Sequence, residues 1–233
     1  MPELPPPLPP DQRTVGQLIA ESIRAYGAHF WLLVPTGAAL AIADQFAVRH
    51  TLGAQMVVFW AATPLFVAAY VWTCRVVLNA EITREAVILA VVIWIVFAPL
   101  RALYILPAVA LLAFVGLAVP AAMVERLGLR DAFTRGRKLG RADYLHAAGS
   151  IAALVIVVGV AETALEALLH TQGNTGRRVA LGLSDLVLSP LLFIGGAILY
   201  VDQAARAVGS RHADLHPPVD ADSARRPDPQ VEP

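Results

Sequence analysis

Apolar residues along this chain gather in five long blocks, and two shorter stretches mix apolar and polar positions at helical spacing. A spanning helix needs roughly 20 mostly apolar residues to cross about 30 Å of hydrocarbon. Phe30 to Val48, Met56 to Leu78, Leu145 to Leu169 and Val179 to Gln203 each predict one span. Ala86 to Val124 is 39 residues long with a single charge, Arg101. As one helix that block would measure roughly 58 Å, so it predicts two spans. The break falls in "APLRALYILP", where Pro99, Arg101 and Pro107 mark a tight hairpin. The expected fold is an all-α, multi-pass transmembrane helix bundle of six spans.

The first mixed stretch, "TVGQLIAESIRAYGAHF", puts Val15, Leu18, Ile19, Ile23, Tyr26 and Phe30 on one face and Arg13, Gln17, Glu21 and Arg24 opposite. Thr14 with Gln17 fits a capping box that starts the helix. An interfacial amphipathic helix near 14–28 is expected, with Arg24 at the lipid headgroups; the alternative is an extension of the first span. The second stretch, "VERLGLRDAFTRGRKLGRADYL", gathers Arg126, Arg130, Arg135, Arg137, Lys138 and Arg141 against Glu125, Asp131 and Asp143. Gly128 can end the fourth span, Asp131 can cap a new helix, Gly140 can stop it, and Asp143 can cap the fifth span. That predicts an interfacial helix near 131–140, with Ala132, Phe133, Gly136 and Leu139 on its apolar side. Aligning Leu18 with Ala132 sets Ser22 on Gly136, Arg24 on Lys138 and Phe30 on Tyr144, a faint internal echo.

Charge placement gives orientation. With the N-terminus inside, cytoplasmic segments hold Arg13, Arg24, Arg75, Arg84, the six cations of the basic stretch, Arg206, Arg211, Arg225 and Arg226. The outer loops keep Arg49, Arg101, Arg177 and Arg178. Both termini are therefore expected in the cytoplasm. Trp31, Tyr70, Trp72, Tyr104, Tyr144 and Tyr200 lie near predicted span ends, as an aromatic belt requires. Arg24, Arg130, Arg137, Lys138 and Arg141 are the expected contacts to an anionic inner leaflet.

Composition narrows the class. Of 233 residues, 57% are hydrophobic and 15% charged, with mean hydropathy +0.62. Soluble domains carry about 25% charged residues, so this is a membrane-protein composition. The formal net charge is zero, which argues against nucleic acid as a partner. One lysine beside seventeen arginines, with abundant Ala and Val, suits a GC-rich bacterial genome and hence a bacterial plasma membrane. "MPELPPPLPP" has six prolines and no cation, so no signal peptide is expected. Residues 1–13 and 207–233 read as disordered tails around a membrane domain spanning 14–206.

A resemblance appears in Pro120, Glu125, Gly128, Ala132, Arg135, Gly136, Leu139, Gly140 and Tyr144. This run resembles the signature of a bacterial six-helix integral membrane family. Its members include the membrane domain of some glycerophosphoryl diester phosphodiesterases and many free-standing proteins. "GQLIAESIRAYGAHFWLLVP" is similar to that family's start. The resemblance implies a multi-pass bundle without an established activity. The chain offers no counterpart of the soluble phosphodiesterase barrel, so that catalysis is not carried over.

Candidate chemistry is sparse. Six scattered histidines make no HExxH, and neither GxSxG nor a phosphate-binding glycine loop is present. His212 and His216 are spaced i, i+4 beside two prolines, and a chance pairing explains them. Cys74 reads as a small buried residue with no base in view. No enzymatic role, cofactor or metal is expected. Asp44, Glu162, Glu166 and Asp185 fall in the outer half of the expected bundle. Ionisable groups in spans are candidates for cation or proton passage. The structural alternative is depth: Glu162 lies roughly 25 Å along its helix from Leu145, near outer headgroups, and Arg101, Arg177 or Arg178 can pair with the rest. A coupled carrier would show paired broken helices, for which only "SPLLFIGG" qualifies. Finally, Glu125 closes the fourth span, and the turn at Gly128 can return Arg135 to it as a structural lock; Arg126 or solvent is the alternative partner. The expectation is a non-enzymatic, lipid-contacting or partner-supporting membrane component, whose partner is a membrane protein or a second copy. The alternative is a small cation- or proton-coupled transporter.

Overall fold

The computed structural model describes residues 8–47, 50–103, 105–169 and 173–215. Within them every regular element is helical. A short 3₁₀ turn at Pro10–Gln12 leads into α1, Val15–Ala28, which the expected capping box starts: Thr14 N–H donates to Gln17 Oε1 at 2.9 Å, and Gln17 N–H to Thr14 Oγ1 at 3.4 Å. His29, at φ −125°, separates α1 from the first apolar helix, so α1 is an element of its own. That helix, α2 (Phe30–Ala47), tightens to a 3₁₀ turn over Val34–Gly37, where Pro35 removes a donor.

Helices α3 (Leu52–Ala61) and α4 (Thr63–Leu78) stand where one straight span was expected, and they meet at 50°. Pro64 near the start of α4 has no N–H to continue the ladder across Ala62, so the pair bends there. Helix α4 stops at Asn79, which takes the left-handed conformation at φ 49°. Helix α5, Arg84–Leu103, runs through Pro99, and α6 is Ile105–Val124, widened to a π turn over Leu112–Gly116. Then come α7 (Leu129–Ala142), α8 (Tyr144–Leu169), α9 (Gly173–Leu188) and α10 (Pro190–Leu215), the last two separated at Ser189 by a proline.

Among the described residues, four stretches are long and apolar enough to cross a membrane: Phe30–Ala47, Ile105–Val124, Tyr144–Leu168 and Arg178–Val208. The bent α3–α4 pair passes the same test only when its two helices are taken together, which brings the count to four or five. The apolar block from Ala86, where a further span was expected, forms α5, which is not among these stretches.

Several local expectations change. Gly128, not Asp131, is the N-cap of α7, and Gly140 lies inside that helix instead of ending it. Asp143 does cap α8, accepting from His146 N–H at 3.1 Å. At the N-terminus, structure begins before residue 14, with the turn at Pro10–Gln12. At the other end α10 continues past residue 206 to Leu215. Residues 1–7 and 216–233 of the two expected tails lie outside the described residues, as do Tyr104 and the side chains of Arg101 and Arg177.

Three glycine contacts fix two close crossings. A Cβ on Gly37 would sit 2.1 Å from the Leu186 carbonyl, so α2 and α9 touch backbone to backbone. Helix α7 folds back along α6 the same way: a Cβ on Gly136 would meet Ala118 N at 2.5 Å, and one on Gly140 would meet Ala113 O at 2.7 Å. The buried side of α1 is Leu18, Ser22 and Tyr26, and that of α7 includes Ala132, Gly136 and Gly140. These positions correspond under the alignment that brings Leu18 onto Ala132.

Candidate functional site

The basic stretch builds one wall of a polar collar at one end of the bundle. After α6 the chain turns through Arg126, at φ 51°, and α7 returns. Arg135 Nε then donates to both carboxylate oxygens of Glu125, at 2.8 and 3.0 Å. Of the two readings of Glu125, the structure places Arg135 on it; Arg126 instead pairs with Glu81 at 2.9 Å, both exposed. A third member was not anticipated. Tyr200 on α10 donates its hydroxyl to Glu125 Oε1 at 2.9 Å, which ties the hairpin to the last helix. Tyr200 and Tyr70 are therefore no part of an aromatic belt. Both are buried, and Tyr70 OH donates to the Gly116 carbonyl at 3.1 Å. Trp31, Trp72 and Tyr144 are exposed.

The opposite wall joins the two ends of the chain. Arg13 Nη1 donates to Asp202 Oδ1 at 2.9 Å, and the Asp202 side chain is wholly buried. Arg206, one turn along α10, donates to Asp143 Oδ2 at 2.8 Å and to the Arg13 carbonyl at 2.7 Å. Between them the buried Gln203 donates to the Asp143 carbonyl at 3.1 Å. Sequence reasoning treated Arg13 and Arg206 as orienting cations and passed over Asp202 and Gln203. The available signal was an acid, an amide and a cation in the final turns of an apolar helix, where polar groups need partners.

The remaining cations surround the collar. Arg130, Lys138 and Arg141 are exposed and Arg137 is half-buried. The guanidinium groups of Arg137 and Arg141 lie over the Phe114 ring, 5.7 and 5.4 Å from its centroid. Arg24 pairs with Glu21 on α1. One expectation is corrected here. Ala132, Gly136 and Leu139 are buried against protein and not turned to lipid, because α6 covers that stripe; Phe133 points away and is exposed.

The four acids expected in the outer half are spread over two places. Asp44 and the buried Asp185 sit on α2 and α9, which pack together. There the Arg178 carbonyl accepts from Gln45 Nε2 at 2.8 Å. Glu162 lines a cavity of about 180 Å³ between α8 and the other spans, and Glu166 follows one turn along. Among the described residues, no three His, Cys, Asp or Glu side chains are disposed to hold a metal ion. Cys74 is fully buried. No protein-family model, curated protein or solved structure matches this chain.

Proposed function

We propose that the chain is a six-span protein of a bacterial plasma membrane whose basic hairpin holds anionic lipid headgroups on the cytoplasmic side, without catalysis. The observation that carries this reading is the covered stripe of α7. Because Gly136 and Gly140 seat that helix on α6, its apolar side is spent on protein, and Arg130, Lys138 and Arg141 face outward as a fixed row of cations. Anionic lipid attracts such cations by about 1 kcal/mol each. The collar sets the row beside Arg13 and Arg206, hence beside both ends of the described chain. Support for a sixth span comes from α5, whose 20 residues reach roughly 30 Å. The resemblance to the six-helix family points the same way.

Topology is tested by reporter fusions. Those after Gly53, Tyr104 and Gly173 should read external, and those after Asn79, Gly140 and Arg211 cytoplasmic. A cytoplasmic signal at Tyr104 removes the α5–α6 pair of spans. Lipid contact is tested in nanodiscs of mixed phosphatidylglycerol and phosphatidylcholine. The variant Arg130→Gln/Lys138→Gln/Arg141→Gln should lose about 3 kcal/mol of preference for the anionic lipid, a roughly hundredfold change, and the parent's preference should weaken with salt. A parent without any preference ends the lipid reading.

A second reading, cation or proton passage, draws on one observation: Glu162 lines the cavity between spans. Its discriminating result is a flux in proteoliposomes that Glu162→Gln removes.

A further inference from the structure

A groove runs down the outside of the bundle between α2 and α5, with α4 as its floor, and holds about 1100 Å³. Small residues recess it: Pro64 and Ala68 of α4, with Ala38 and Ala39 of α2 beside them. Two tryptophans pin the walls. Trp72 of α4 donates its indole N–H to the Leu32 carbonyl of α2 at 3.0 Å, and Trp60 of α3 donates to the Ile95 carbonyl of α5 at 2.9 Å. The hydroxyls of Thr36 and Thr63, also in the lining, donate to the carbonyls of Leu33 and Phe59. With those donors spent on the protein, the groove offers an occupant apolar contact along its length.

One end of the groove is charged. Leu32 lies near the start of α2 and Trp72 near the end of α4, so their bond sets the two helices antiparallel. Residues 79–83 join α4 directly to α5, which brings the start of α5 to the same end. There the exposed stripe of α4 through Leu65, Ala68 and Trp72 continues to Arg75, whose guanidinium lies 5.2 Å from the Trp72 ring centroid. The exposed stripe of α5, Val87, Val91 and Ile95, begins one turn earlier at Arg84. Both arginines are exposed, and among the described residues neither is ion-paired. Glu81, in the link between the two helices, is held by Arg126 at 2.9 Å.

We propose that this groove binds one two-tailed phospholipid, its acyl chains laid along α4 and its phosphate held between Arg75 and Arg84. Volume selects two chains. A methylene fills about as much space as a water, roughly 30 Å³, so a pair of sixteen- to eighteen-carbon tails takes roughly 1000 Å³. Charge selects the phosphate, which arginine meets with directed N–H donors. Tryptophan and arginine gather at the headgroup boundary of membranes, and Trp31 and Trp72 stand at this same end of the groove. The site requires a membrane-embedded chain, as proposed above, but not the cation row of α7.

The test uses the full chain in dodecylmaltoside, depleted of lipid, with dioleoyl phosphatidylglycerol added and bound copies counted by native mass spectrometry. One copy should bind saturably. Dioleoylglycerol, which keeps the tails and lacks the phosphate, should bind roughly tenfold more weakly. Arg75→Gln/Arg84→Gln should weaken the phospholipid by about the same factor and leave dioleoylglycerol unchanged. Ala68→Trp, which raises the floor, should weaken both lipids about tenfold while the protein elutes as the parent does. That variant carries the test if the arginine variant does not fold. Inorganic phosphate should not displace the lipid, because the tails hold it; displacement would mean a phosphate site without a lipid. Arg130→Gln/Lys138→Gln/Arg141→Gln should keep the bound copy, so failure of the hairpin reading and failure of this site are read separately. Copies that accumulate without saturating overturn the proposal, as does a first copy indifferent to Ala68→Trp or to the arginine change in a folded variant. So does a dimer that Ala68→Trp separates, because a second copy of the chain then covers the groove.

Discussion

Replacing Arg13 with methionine is expected to lower the unfolding temperature by roughly 6–12 °C, the largest loss of any single charge substitution in the collar. The Asp202 carboxylate is wholly buried, and Arg13 is the cation it pairs with at 2.9 Å. Breaking a buried pair by removing one partner costs about 3 kcal/mol or more, because the other charge stays behind without water. For a chain of this length each kcal/mol shifts the transition by about 2–4 °C. The pair itself is weak evidence for net stability, since its own desolvation offsets the attraction. The double variant Arg13→Met/Asp202→Leu should therefore recover most of the loss. Arg24→Met removes an exposed pair, with side chains 61% and 28% accessible, and should change stability by less than about 1 kcal/mol. Thermal unfolding in one detergent checks all three. A double variant no more stable than Arg13→Met would mean that Arg13 acts through something other than neutralising Asp202.

The double variant Gly136→Ala/Gly140→Ala should release α7 from α6. Each added methyl would meet backbone atoms of residues 113–118 at 2.8 Å or less, and backbone cannot swing aside as a side chain can. Overpacking of this kind costs about 1–3 kcal/mol per site, more than the roughly 0.5–1 kcal/mol that alanine gains over glycine in a helix. As α7 lifts, Arg135 leaves Glu125, and the cations of 135–141 open to protease. Trypsin cleavage there should be at least tenfold faster in nanodiscs. Gly128→Ala is the control: its φ is −63° and a Cβ meets nothing, so cleavage should keep the parent rate. Unchanged cleavage in the double variant would show that α7 accommodates the methyl groups by sliding and is not held by those two contacts.

What could be read in the chain was local. Thr14 with Gln17 and Asp143 with His146 are cap bonds three residues apart, and any helix starting there makes them. Apolar block length fixed where helices long enough to cross a membrane lie, since a helix closes its own hydrogen bonds and needs only enough apolar residues. Glu125 and Arg135 are ten residues apart across one turn, so a hairpin had few other ways to arrange them. Local rules failed where two of them competed. Gly140 carries a stop signal, yet it remains helical because its missing side chain lets α7 lie against the backbone of α6.

The collar and the cavity were decided by tertiary structure alone. Arg13 and Asp202 are 189 residues apart, and no periodicity says which cation a buried acid will meet. Phe133 and Leu139 share the apolar side in the sequence pattern, but packing buried Leu139 and left Phe133 exposed. Trp72 resembles its neighbours in any hydropathy pattern; its bond to the Leu32 carbonyl beside the groove emerges only when the surrounding helices are in place. Hydropathy is a property of each segment and is insensitive to which faces meet. Pairing of buried polar groups and the shape of a cavity depend on all the helices at once, so the sequence alone determined the segments and the assembled bundle determined the sites.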